Sequence, residues 1–230
     1  MKTYLFALWM MFVSPVFAQQ DINVLIKSAR QKMALVNDYE ASGRMKTNVA
    51  FLKVPVATVK VYFKKPNRLK VKSEKGVSFI PKGAVSINMG SVLTDEQFTV
   101  IDAGTDKVNG IAVRVAKLLP VNDNSDVVLS TLYIEEATSL IRKAKTTTRE
   151  NGSFELEMNY GKYSSYGLPD KIVFSFNTKD YKLPKGVTFD FDDGSAPAPP
   201  ADKAKGKKGR AEITFSSYII NKGVDDAVFK

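Results

Sequence analysis

The chain has 230 residues, a formal net charge of +10, and neither cysteine nor histidine. Disulfides, thiol nucleophiles, Ser-His or Cys-His couples and the usual zinc or haem ligands are therefore excluded, which leaves only carboxylate or lysine chemistry to an enzyme. The length suits one large all-β domain or two small ones. The basic excess is compatible with an anionic membrane surface, an acidic protein, nucleic acid or plain solubility.

Residues 1–18 read as a secretory signal. Lys2 is the basic start, Tyr4 to Val13 the apolar core, and Val16-Phe17-Ala18 places a small residue at the cleavage position. The apolar core is too short to span a bilayer. An exported, soluble, periplasmic protein is the expectation, with residues 19–230 as a single domain. Nucleic acid is then not an expected partner.

Asp21 to Val36 is predicted as a helix. Ile22, Leu25, Ile26, Ala29, Met33 and Val36 recur at helical spacing, and Asp21 is a candidate N-cap. Packing on a sheet accounts for such a stripe more simply than a place on a membrane surface.

From Tyr39 onward the periodicity changes to two. Met45, Val49 and Phe51 share one strand face. Val59, Val61 and Phe63 alternate with Thr58, Lys60 and Tyr62. Lys64-Lys65-Pro66-Asn67 is a turn, and Leu69 and Val71 open the following strand. Val92 to Phe98 reads as a short helix, a candidate lid, because Ser91 can cap it and Asp95 and Glu96 lie near its start. Phe98 to Ile101 and Val108 to Leu119 read as strands about a turn at Ala103 to Asn109, with Ile111, Val113 and Val115 as the apolar face. Val127 to Ile134 and Leu140 to Thr148 form a hairpin.

Phe154, Leu156 and Met158 then alternate with Glu155, Glu157 and Asn159. After a turn-rich break at Gly161 to Pro169, Ile172, Phe174 and Phe176 alternate with Val173 and Ser175. A further strand carries Phe189, and a last one Ile213 and Phe215. Residues 194–210 between them are Pro, Ala, Gly and Lys throughout and read as a flexible basic loop.

About ten strands, one helix and no βαβ rhythm predict a mainly β fold. It is a curled antiparallel sheet, an incomplete β-barrel, with the N-terminal helix over an apolar interior. The named one-face residues, Met45 through Phe215, are the candidate lining of a cavity there, although each could equally fill a core.

Sharper chemistry weighs less. Asp190, Asp192 and Asp193 resemble the start of a calcium loop, but Ala201 stands where the closing glutamate belongs, so no metal is expected. Glu155 and Glu157 lie two apart on a strand, which a solvated polar face explains as well as paired acids do. No catalytic residue and no cofactor are indicated. Lys203, Lys205, Lys207 and Lys208 could touch anionic headgroups.

Three short segments carry a family likeness. They are Lys64-Lys65-Pro66-Asn67, Leu168-Pro169-Asp170-Lys171-Ile172-Val173-Phe174, and the run Tyr218-Ile219-Ile220-Asn221-Lys222-Gly223-Val224-Asp225-Asp226-Ala227-Val228-Phe229. With the order of signal, helix, a strand containing Gly43 and serial antiparallel strands, the chain resembles the bacterial outer-membrane lipoprotein carriers, the LolA/LolB-like family. The resemblance implies an incomplete barrel closed by helices over a hydrophobic cavity. It implies acylated lipoprotein or lipid as cargo, and membrane-bound donor and acceptor proteins. It also implies a lid-closing role for the basic residue before Pro-Asn, here Lys65. A non-transporting binding or sensor module and a carboxylate hydrolase are the other readings open to the sequence.

Overall fold

The computed structural model describes residues 21–49, 52–53, 56–66, 68–75, 97–149, 152–177 and 208–230. The candidate signal, residues 92–96 of the candidate lid helix at Val92 to Phe98, Phe51 and Phe189, and the basic loop up to residue 207 lie outside them; Phe98 itself opens a strand.

Among the described residues one α-helix and eleven strands follow in order. They are α1 (Ile22–Ala34), β1 (Asp38–Val49), β2 (Leu52–Lys53), β3 (Ala57–Lys64), β4 (Arg68–Lys75), β5 (Phe98–Val108), β6 (Ile111–Pro120), β7 (Val127–Glu135), β8 (Leu140–Thr148), β9 (Gly152–Asn159), β10 (Lys171–Asn177) and β11 (Lys208–Ile220). All belong to one sheet, ordered β4-β3-β1-β11-β10-β9-β8-β7-β6-β5, with the two-residue β2 paired to β1. Every pairing is antiparallel. Among the described residues β4 and β5 are edges and do not meet, so the sheet is an open, incomplete barrel, as the alternation predicted.

The register aligns the apolar sets of successive strands into rows. One row runs Ala116, Leu132, Ala144, Leu156, Phe174, Ala211 and Thr47. A second runs Met158, Ile172, Ile213, Met45 and Ala57. Opposed side chains on one sheet face are the unit of sheet packing. Helix α1 crosses these rows and buries Ile22, Leu25, Ile26 and Ala29 against Ala116, Leu118, Leu132, Ile134, Phe154, Leu156 and Phe174. Each fully buried Leu or Ile there contributes on the order of 1.5–3 kcal/mol. Asp21 caps the helix, its carboxylate accepting from the Asn23 N–H at 2.6 Å.

Three details differ from the sequence reading. Residues 103–108 continue β5 instead of turning. The turn is at Asn109 and Gly110, both at positive φ (50° and 82°), which is an Asn-Gly hairpin with a bulge at Asp102/Thr105 to absorb the extra residues. Lys208, Gly209 and Arg210 belong to β11, not to the basic loop, because they pair with Asn177, Phe176 and Ser175 of β10. The third concerns the parity of β6. The inward row takes Ala116 and Leu118, which join the core under α1. By alternation Ile111, Val113 and Val115 lie on the other face. Val113 and Val115 are buried there and Ile111 is half-buried.

Candidate functional site

The short motifs meet at one pole of the molecule, where they hold the C-terminal end of α1. Lys65 donates from Nζ to the Ala34 carbonyl at 2.8 Å and to Asn37 Oδ1 at 3.0 Å. A lysine at the last carbonyls of a helix answers both the unsatisfied oxygens and the negative end of the dipole. Asn221 works from the other side. Its Oδ1 accepts from the Asn37 N–H at 2.7 Å, and its Nδ2 donates to the Leu35 carbonyl at 2.9 Å. The residues after Asn221 fasten back to the β3–β4 hairpin. Lys64 reaches the Val224 carbonyl at 3.0 Å and the Asp226 carboxylate at 2.6 Å, and Arg68 pairs with Asp226 at 2.7 Å and covers the Phe229 ring. In the third motif Leu168 packs with Val36 and Phe63. The Tyr218 hydroxyl donates to the Pro169 carbonyl at 2.7 Å. Tyr39, Phe63, Tyr163, Phe215 and Tyr218 stack around these groups, with centroids 4.9–5.4 Å apart. Burial pushes the Tyr39 and Tyr218 hydroxyls well above the usual phenol range.

The opposite half of α1 is not packed on all sides. A cavity of about 630 Å³ lies between its flank and the beginning of β5. Asn23, Ile26, Lys27 and Arg30 line it from the helix, at the spacing of a single helical face; Gln97, Phe98, Val100 and Val121 line it from the sheet end. The size is that of a small-molecule site, and an apolar lining with a few polar groups is the usual make-up of one. Arg30 Nε is buried there and has no hydrogen-bond partner among the described residues.

The sequence-predicted lining residues take other positions. Phe154, Leu156, Met158, Phe174 and Phe176 are buried in the core beneath α1, with Ile172 partly buried against it. Met45, Val59, Val61 and Phe215 form a second cluster with Leu69, Val71 and Ile213 at its margin. Phe63 belongs to the third. Val49 is in β1, with its side chain outside the described set. None of these residues borders the 630 Å³ cavity. Of its lining, only Ile26 stood out in the sequence as apolar helix stripe. Arg30 and Lys27 lay beside the stripe, and a polar residue at a stripe's margin is the one signal that pointed to them.

On the sheet, Arg114 Nη1 is likewise buried without a hydrogen bond, 4.0 Å from the Glu136 carboxylate, while the other nitrogens of that guanidinium are paired. Arg114, 6% exposed, is on the inward row of β6 and donates from Nε to Asp102 at 2.9 Å, with a second bond from Nη2 to the same carboxylate. The Arg114 hydrogen bond, then the Gly104 N–H, hold the Asp102 carboxyl below the usual carboxylate range. On the outer face, Lys143 bridges Glu155 at 2.9 Å and Glu157 at 4.0 Å, so these two glutamates form a charge ladder with it. Among the described residues no cluster of acids is placed to hold a metal ion, and no helix is long and apolar enough to cross a membrane.

No family model matches the chain, and no curated protein matches it. Its backbone is similar to several solved structures. One is a domain described as an outer membrane lipoprotein-sorting protein from Vibrio parahaemolyticus (TM-score 0.51, 12% identity, 89% of this chain and 95% of that one). A second is a DUF1329 family protein from Desulfovibrio piger (TM-score 0.55, 12% identity, 92% and 98%). A third is a LolA superfamily protein from Nitrosomonas europaea (TM-score 0.56, 9% identity, 92% and 98%). Over nearly its whole length, then, the chain has a LolA-like fold.

Proposed function

We propose that this LolA-like fold serves as a periplasmic carrier that binds the acyl chains of lipoproteins, or other lipid, and moves them toward the outer membrane. The observation that carries the reading is the cavity of about 630 Å³ between the flank of α1 and the start of β5. Apolar floor and amphipathic helix together make a place that a hydrocarbon chain can enter without displacing the packed core. An acyl chain gains about 0.8 kcal/mol per buried methylene. Cavity and bilayer offer comparable gains, so transfer between them is near neutral, as a shuttle requires. Within this reading Lys65 holds the closed position of the helix over the sheet, and membrane-bound donor and acceptor proteins supply and receive the cargo.

A second reading has an observation of its own. Ile101 and Leu119 lie exposed on adjacent strands at the outer face of the β5 edge. Exposed apolar side chains beside a strand edge that is unpaired among the described residues favour a protein partner, as in a binding or sensor module without transport.

Organic extraction and native mass spectrometry of the purified protein separate the two. The carrier reading expects bound lipid or acyl chain, reduced by Val100→Trp, which fills the cavity. Protein that stays lipid-free after exposure to labelled lipoprotein or lipid vesicles, and is indifferent to that substitution, would leave only the partner-binding reading.

A further inference from the structure

We infer that the cavity between α1 and β5 selects an anionic lipid bearing one acyl chain, its head oxygens held by Arg30 and Lys27 and its chain lying on Ile26, Phe98, Val100 and Val121. The inference rests on the lipid-binding reading and adds the charge of the ligand to it.

Three observations converge. Among the described residues the lining holds two cations and two amides, Asn23 and Gln97, and no carboxylate. Several cations on the sheet are answered by an acid: Lys60 by Glu40 at 2.9 Å, Lys143 by Glu155 at 2.9 Å, Lys171 by Glu212 at 2.7 Å. Among the described residues lining the cavity no acid answers Arg30 or Lys27. The second observation is the Arg30 Nε, buried and without a hydrogen-bond partner among the described residues. A buried donor of a charged group left unpaired is costly, and a carboxylate or phosphate oxygen is its best complement, since charge-assisted bonds are about twice as strong as neutral ones. Water in the cavity can serve that N–H but supplies no counter-charge. The third is the order of the groups. The helix side, Asn23, Ile26, Lys27 and Arg30, is polar apart from Ile26, while the sheet side is apolar apart from Gln97. A ligand with a charged head and one hydrocarbon tail matches that order. The volume is within the roughly 300–1,000 Å³ of single small-molecule sites.

The test is a binding titration of the full chain, freed of endogenous lipid, read by displacement of a fluorescent fatty acid. Three competitors are compared: palmitate, palmitoyl lysophosphatidic acid and the uncharged methyl palmitate. The expected result is at least roughly tenfold tighter binding of one or both anions than of the ester, as one charge-assisted bond supplies. Which anion binds tighter assigns the head group. Arg30→Gln should cut that preference at least several-fold, Lys27 holding the remainder, and Arg30→Lys should restore part of it. Thermal melting of each variant checks the fold. Equal binding of anions and ester, unaffected by Arg30→Gln, overturns the inference and leaves the carrier reading standing. Binding of none of the three overturns both.

Discussion

Side chain by side chain, the interior of this sheet is decided by small accommodations. Ser130 and Thr146 are both buried on the inward rows and satisfy one another at 3.0 Å. Thr146→Val leaves the Ser130 hydroxyl without its partner and should lower stability by about 1–3 kcal/mol. Adding Ser130→Ala should recover most of that loss, and urea denaturation of the two single variants and the double variant measures it. Gly43 stands at the bulge of β1. A Cβ there would lie 2.7 Å from the Thr214 carbonyl oxygen of β11, a backbone atom that cannot turn aside. Gly43→Ala should cost about 1–3 kcal/mol by the same denaturation measurement, as overpacking typically does. Arg114 is charged yet faces inward, where Asp102 takes two of its nitrogens and Glu136 lies 4.0 Å from the third.

For the elements, the relevant fact is that α1 is held differently along its length. Its N-terminal half has one flank on a cavity, and its C-terminal end is held by Lys65 and Asn221. Lys65→Met removes a cation from the helix terminus and should cost about 0.3–1 kcal/mol. Its more telling effect should be local. Amide hydrogen exchange in residues 22–34 should quicken while β8 and β9, central in the sheet, keep their protection. Equal acceleration throughout would mean that α1 has no independent opening, and with it the role of Lys65 in closing the helix over the cavity would fail.

Across the molecule, three carboxylates are held by cations in a way that links folding to pH. The Arg114 hydrogen bond depresses Asp102, the Lys171 hydrogen bond depresses Glu212, and the Lys64 hydrogen bond depresses Asp226. A depressed carboxyl pKa means that the folded state binds its proton less readily than the unfolded chain. Stability from these pairs is therefore complete above the ordinary carboxylate values of 3.8 for Asp and 4.5 for Glu, and is lost as pH falls through the lowered folded values. The melting temperature should fall steeply below about pH 4, and Asp102→Asn should flatten part of that fall while lowering the plateau at neutral pH. A melting temperature that held steady down to pH 3 would mean these pairs add nothing to folding.

The sequence by itself determined the strand-rich class, the antiparallel order and the helix at the front. Alternation and the 3.6 period are local properties of the chain, and burial on one face writes them directly into residue choice. It also determined which short segments matter, since Lys65, Leu168 and Asn221 turned out to share one pole. What those segments do was decided only by folding. Lys65 and Asn221 are 156 residues apart in the chain, and nothing local says that both end on the last carbonyls of α1. The parity of β6 was likewise hidden. Arg114 marks its row as polar, and the approach of Asp102 across the β5–β6 hairpin, with Glu136 at 4.0 Å, neutralises it, so that Ala116 and Leu118 can face the helix. The cavity was the least legible feature of all. Its lining comes from an α1 flank that the stripe rule calls solvent-facing and from the first residues of an edge strand. A void is a property of how two surfaces fail to fill the space between them, and neither surface records it alone.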